Sequence, residues 1–199
     1  MSKAMDINHY RHPNHKINPL FWQRWSPRAF TGEAITDQQF QSLFEAARWA
    51  PSCFNEQPWR FLYAHRDSAD WPLFLELLME GNQSWASQTS GLIVVLSKKT
   101  FSHNGKDNNT HSFDSGAAWQ SIALQASLMG LACHGMAGIH YAEIAERLNV
   151  PDDFKVEMML AVGVPGEAAK LPEGLREREQ PSGRKSVAEI SFAGRFPEY

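Results

Sequence analysis

Two arginines and a serine at alternate positions in Arg24-Trp25-Ser26-Pro27-Arg28 are the residues of this chain best suited to hold an anion. Pro27 biases Ser26 toward extended backbone, where residues two apart share a side, so both guanidiniums and the hydroxyl point together. Arginine presents a fork of donors that matches phosphate oxygens, and a serine hydroxyl adds one more. Taken alone, the fragment fits two solvated arginines beside a structural aromatic better than a binding site. A second cluster, Ala50-Pro51-Ser52-Cys53-Phe54-Asn55-Glu56-Gln57-Pro58-Trp59-Arg60-Phe61, sets small polar groups and an amide pair between two prolines, a supply of hydrogen bonds for a planar polar ring. A plain connector in which Asn55 caps its own backbone is the alternative. The glycine-bracketed His134-Gly135-Met136-Ala137-Gly138 permits close backbone approach to a flat ligand, and an ordinary turn explains it equally well. Arg184 and Lys185 either complete an anion site or are a solvated pair.

Other chemistries find less support. His9, His12 and His15 have a spacing that suits a metal, but they lack an acidic or cysteine partner in a polar terminus, which points to a disordered arm and no metal. Cys53 has no identifiable base, so a cysteine nucleophile ranks last. G-x-G-x-x-G, G-x-x-x-x-G-K-[ST] and H-E-x-x-H are all absent from the sequence, which removes the usual dinucleotide, nucleotide and zinc-protease readings.

The elements that must position these groups can be read from periodicity. Thr36-Asp37-Gln38-Gln39 is a capping box, and Phe40, Leu43, Phe44 and Ala47 then form one apolar stripe on a helix that Pro51 ends. Trp59–His65 and the continuously apolar Gly91–Ser97 read as strands, with a helical pattern over Trp71–Met79 between them. Phe101–His111 is polar and reads as a mobile loop. Phe113–Met129 is apolar nearly all round, with small surfaces at Gly116, Ala117, Ala118, Ala123 and Ala126; in so short a chain such a helix predicts cover from a second subunit. Leu131–Gly138 and Val156–Val164 read as two further strands around a short helix at Tyr141–Leu148, and Glu173–Ser186 as a loop or extended arm.

At 199 residues, the chain predicts a single domain, 1–199, in which residues 1–18 form a flexible or loosely packed arm. A net charge of -3 without a basic block gives no reason to expect nucleic acid or an anionic membrane as partner. The polar N-terminal stretch and the lack of a long apolar run predict a cytoplasmic protein outside the membrane. Two cysteines without a C-x-x-C pair build neither a disulfide framework nor a thiol redox motif, so any redox chemistry belongs to a cofactor.

In this order and spacing, the clusters resemble the FMN-dependent nitroreductase family over about Phe21 to Phe192. Arg24-Trp25-Ser26-Pro27-Arg28-Ala29-Phe30 is similar to the family's R-R-S-x-R-x-F opening, with Trp25 in place of the second basic residue. Ala50–Phe61 resembles its A-P-S-x-x-N-x-Q-P-W-x-F segment. The resemblance implies an α+β fold, a mixed sheet flanked by helices, in an intertwined homodimer that exchanges C-terminal arms. It further implies that Arg24, Ser26 and Arg28 hold the FMN phosphate and ribityl chain, that Trp25 contributes backbone contacts, and that Pro51, Ser52, Cys53 and Asn55 approach the flavin from the other subunit. Asn82 falls at a ring-edge position, Met136, Ala137 and Gly138 at backbone contacts to the ring, and Arg184 and Lys185 at the basic pair near the phosphate. The function it implies is NAD(P)H-dependent reduction of nitroaromatic, quinone or similar small-molecule acceptors by a ping-pong scheme in which the flavin, and no side chain, is catalytic. A narrower member of the same superfamily, such as an enone reductase, a dehalogenase or a flavin-modifying enzyme, and a non-catalytic FMN-binding or storage protein are the alternatives.

Overall fold

A computed structural model describes residues 7–197; residues 1–6 of the expected N-terminal arm lie outside the described residues. The helices are α1 (Pro19–Gln23), α2 (Asp37–Arg48), α3 (Trp71–Glu76), α4 (Glu80–Ala86), α5 (His111–Leu128), α6 (Tyr141–Arg147), α7 (Glu173–Arg176) and α8 (Val187–Ile190). The strands are β1 (Trp59–His65), β2 (Gly91–Lys98), β3 (Ala132–Met136) and β4 (Phe154–Gly163). They form one sheet in the order β1-β2-β4-β3. Every pairing in it is antiparallel, and helices cover both of its faces, the α+β arrangement that the resemblance implies.

Central β2 is buried along nearly its whole length, and alternate residues feed two separate cores. Leu92, Val94 and Leu96 pack with α3, α4 and α6 through Phe74, Trp85 and Ile144. Ile93 and Val95 pack on the other face with Phe40 and Leu43 of α2 and Ile122 and Ala126 of α5. A strand covered on both faces needs no polar alternation, which is why this one reads as a continuous apolar run. The capping box that starts α2 is formed, with Gln39 N–H donating to the Thr36 hydroxyl and Thr36 N–H to the Gln39 side chain.

Helix α5 is buried on one face only. Ala118, Ile122, Ala123 and Ala126 face the sheet, whereas Phe113 and Leu128 are 81% and 66% exposed. On the opposite stripe Phe113, Gly116, Gln120 and Leu128 are exposed and Leu124 is half-buried. The C-terminal segment behaves in the same way: residues 182–197 are all exposed, apolar Val187, Ile190, Phe192 and Phe196 included. The 101–111 loop is folded, with a bridge between Thr100 and Asp107, Asn108 N–H donating to the Lys99 carbonyl, and the Asn108 side chain buried. No helix among the described residues is long and apolar enough to cross a membrane.

Candidate functional site

The segment after α1 is extended at Arg24, and three long-range clamps hold it. Arg11 donates from Nη1 to the carbonyls of Trp22 and Arg24, at 3.0 and 2.7 Å, and from Nε to the Ser182 carbonyl at 2.9 Å. His134, on β3, pairs its Nδ1 with the Pro27 carbonyl at 2.8 Å; since a carbonyl only accepts, that nitrogen carries the proton. Glu179 accepts from the backbone N–H groups of Arg28 and Ala29. Beyond them, Phe30 bridges to Pro165 and Gly166 N–H donates to the Ala29 carbonyl, which stitches the segment to the end of β4.

These clamps shape a cavity of about 300 Å³ walled by Arg11, Arg24, Arg28, Arg178 and Arg184 together with Ser26 and His134. Arg24 Nη1 lies 3.4 Å from the Ser26 hydroxyl, so the alternate-residue geometry expected from the sequence is present. No acidic side chain is among the described wall residues. Burial and then the charge of Arg184 lower the pKa of Arg24, and the same causes in the same order, with Arg24 third, lower that of Arg11. Gathered cations without a counter-charge make a site that a phosphate would neutralise. Burial lowers the His134 pKa too; the Pro27 carbonyl opposes that shift, and Arg28 and Arg24 reinforce it. The neutral ring packs on Trp85 with centroids 4.7 Å apart.

Arg184 lines both this cavity and the neighbouring groove between the N-terminal segment and the C-terminal arm, whereas Lys185 lines the groove alone, so of the basic pair only Arg184 reaches the cavity. From His134 the chain runs along β3 to Ala137, a span of ~10 Å at the usual strand rise. There Asn82 Nδ2 donates to the Gly138 carbonyl at 2.9 Å, and Met79 N–H donates to the same oxygen. A Cβ at Gly138 would sit 2.8 Å from Asn82 Nδ2, so glycine is what admits the amide. The Met136 side chain is buried in the core, which leaves only its backbone for a ligand. Asn82, Ala137 and Gly138 are therefore brought together, one strand's length from the arginines.

Pro51, Ser52, Cys53 and Asn55 stand elsewhere. Cys53–Asn55 is a 3₁₀ turn in which Phe54, Asn55 and nearby Gln57 have φ of 51°, 56° and 51°. Non-glycine residues in that region cost free energy and collect at functional sites. Asp114, in the first turn of α5, accepts from Cys53 N–H and the Thr110 hydroxyl, and the Ser52 hydroxyl accepts from Gln57 N–H. Phe54 packs edge-on against Phe101, and Glu56 accepts from Ser102 N–H, so the 101–111 loop rests on this turn. The far end of α5, through Ala123 and Ser127, borders a small cavity shared with Arg24 and Trp25. Asp114 and Ser127 are about 20 Å apart along the helix. Within one chain, the arginine cavity and the strained turn thus occupy opposite ends of α5.

Arg11, Arg178, His134 and Glu179 are the residues that sequence reading missed as site candidates. Arg11 and Glu179 reach the segment from 13 and about 150 positions away, and no local pattern announces such a contact. His134 stood in a turn already singled out, but only the glycines there carried a signal.

Comparison with known proteins completes the picture. A model of the nitroreductase family matches residues 22–84 and 69–164. The chain is similar to a crystal structure described as an oxidoreductase containing FMN, with 50% identity, a TM-score of 0.93 and coverage of 99% of this chain and 100% of that one. It is also similar to a structure from Desulfovibrio desulfuricans, solved in complex with FMN and proposed by name to be a nitroreductase, with 25% identity, 92% and 100% coverage and a TM-score of 0.72. Among sequences, a Streptomyces coelicolor protein whose name proposes an NADH dehydrogenase/NAD(P)H nitroreductase is 26% identical over 177 residues, 79% of this chain and 89% of that one.

Proposed function

Since the chain belongs to the nitroreductase family, we propose that it is a homodimeric, FMN-dependent oxidoreductase that takes electrons from NADH or NADPH and delivers them to nitroaromatics, quinones or similar electron-poor small molecules. One observation carries this reading: a cavity walled by five arginines and no described acidic group, joined along β3 to the tight Asn82–Gly138 junction. That donor set fits a phosphorylated flavin, with a dianionic phosphate at one end and a flat polar ring at the other.

Arg24, Ser26, Arg28 and Arg184 hold the phosphate in this reading, and Lys185 stays outside its reach. Trp25 contributes backbone. Asn82, with Nδ2 committed to Gly138, has its amide oxygen free for the ring's polar edge, while the backbone at Met136, Ala137 and Gly138 approaches the ring. When bound, FMN would supply the redox chemistry, carrying reducing equivalents between the nicotinamide donor and a second substrate that takes the donor's place, a ping-pong scheme. The protein's share is binding, orientation and a positive field that favours negative charge on the cofactor, so no side-chain acid or base is required.

Two copies are needed to finish the site. The turn at Pro51–Asn55 stands about 20 Å along α5 from the arginines of its own chain. An antiparallel second copy, packed on the exposed stripe of α5, sets the turn of one chain beside the arginines of the other. The exposed apolar residues of the 182–197 arm are suited to embrace that partner. The deciding experiment is an absorbance spectrum of the purified protein after incubation with FMN, then identification of the released flavin and a steady-state assay. Flavin bands, FMN on release, and NAD(P)H consumption with a quinone or nitroaromatic that gives parallel double-reciprocal lines are expected. A colourless protein that refuses FMN would sink the proposal, and bound FMN without turnover would make the protein a flavin store.

A further inference from the structure

Glu179 lies in the stretch between α7 and the exposed arm, flanked by Arg178 and Gln180, which both line the cavity. Its own side chain turns inward and is only 5% exposed. Oε1 accepts from Arg28 N–H at 2.7 Å and Ala29 N–H at 2.8 Å, while Oε2 is buried without a partner. A buried carboxylate with one unsatisfied oxygen costs free energy, so its retention beside a would-be phosphate of the same sign calls for a compensating role. Its partners identify that role. With His134 on the Pro27 carbonyl, Glu179 holds three successive backbone groups of Pro27-Arg28-Ala29 from two directions. A guanidinium rooted on backbone so fixed has only its own rotamers to lose when it meets an anion, the usual source of a preorganised site.

We propose that Glu179 is a positioning residue for the phosphate site: by holding the Arg28–Ala29 backbone it sets the preference for phosphorylated over unphosphorylated flavin, and it couples that preference to docking of the C-terminal segment. This rests on the cavity being the phosphate site. Two N–H groups donate to the same Glu179 oxygen, so the acceptor rather than the charge does the positioning, and glutamine, which keeps a carbonyl oxygen at that place, substitutes for it.

The test is titration of the flavin-stripped full-length protein with FMN and with riboflavin, read by flavin fluorescence. Glu179→Ala is expected to weaken FMN about tenfold, the scale of one lost charge-assisted contact, and to leave riboflavin unchanged. Glu179→Gln retains the FMN-to-riboflavin ratio to within about threefold, less than the tenfold that 1.4 kcal/mol represents. If Glu179→Ala does not fold, Glu179→Asp, which keeps the charge but withdraws the oxygens by one methylene, serves in its place and loses the ratio as well. The proposal is overturned by an unchanged ratio in Glu179→Ala or Glu179→Asp, by equal weakening of both flavins, which is a general structural defect, or by a glutamine variant as weak as alanine, which would make the charge the cause. A wild-type protein that binds FMN and riboflavin equally would overturn the phosphate reading itself, and this inference with it.

Discussion

The two ends of α5 differ in how their chemistry is held. At the C-terminal end, the arginine segment is fixed through its backbone by side chains that are remote in sequence: Arg11, His134 and Glu179. At the N-terminal end, the Ser52–Gln57 turn carries its own strain, three residues at positive φ, and is held by bonds within the turn and one carboxylate from α5. The first arrangement suits a permanent anchor for a charged group. The second suits an edge that must meet another surface, since Pro51, Phe54 and Asn55 are exposed. One chain therefore carries two unlike regions at opposite ends of α5, about 20 Å apart along the helix, and the proposed dimer is what would bring them to one flavin.

The largest effect should come from separating the copies that bring those halves together. Leu128→Glu puts a charge on the most C-terminal exposed apolar position of α5 while leaving the core face untouched. A monomer by light scattering is expected, with FMN binding almost abolished although the fold, by circular dichroism, is retained. A monomer that still binds FMN tightly would show that one chain suffices.

A mixed dimer sharpens the same comparison. Arg28→Ala removes a charge-assisted contact of roughly 1.5–3 kcal/mol, so FMN should bind tenfold or more weakly. Asp114→Ala, at the other end, strips the acceptor from Cys53 N–H and should cost roughly 1–3 kcal/mol of local order. In a heterodimer of the two variants, halves donated by different chains leave one site wholly intact and one doubly damaged. Halves from the same chain would leave both sites damaged once. Titration of the doubly tagged heterodimer is expected to show one tight FMN per dimer; two equally weak sites would assign the halves to the same chain.

How far all this was legible in the sequence follows the same division between local and remote contacts. Trp59–His65 has the bounds expected of it, because its cue was an aromatic-rich run entered through prolines. The α2 capping box formed for the same reason: both partners lie within four residues. The Trp71–Met79 helix came out shorter, and α4 was missed, because Gly81 and Asn82 are poor helix formers and the segment is stabilised by burial of Trp85 and Ala86. The α5 reading combined composition with size, so its half-bare face was expected. Of the site, Arg24, Ser26 and Arg28 were legible from alternation within one extended segment. The wall completed by Arg11 and Arg178, and the clamp from Glu179, were not, since a side chain that caps backbone 13 or about 150 residues away leaves no period to read.

The smallest expected effect concerns pH at the anchored end. His134 is held neutral, its pKa lowered from the ordinary 6.5 mainly by burial, with Arg28 and Arg24 adding to the shift against the Pro27 and Ser26 carbonyls. The unfolded chain therefore binds a proton more readily than the folded one in the window just below 6.5. Stability from this residue is complete above that value and is lost as pH falls toward the lowered one. The melting temperature of the flavin-free protein should decline through that window, and His134→Gln, which keeps a donor for the Pro27 carbonyl but does not titrate, should decline less. A phosphate in the cavity would favour the protonated ring, so FMN should reduce the difference between the two proteins. Parallel curves for wild type and His134→Gln would mean that the acid lability lies elsewhere, and a difference that FMN leaves untouched would place the phosphate beyond the reach of His134.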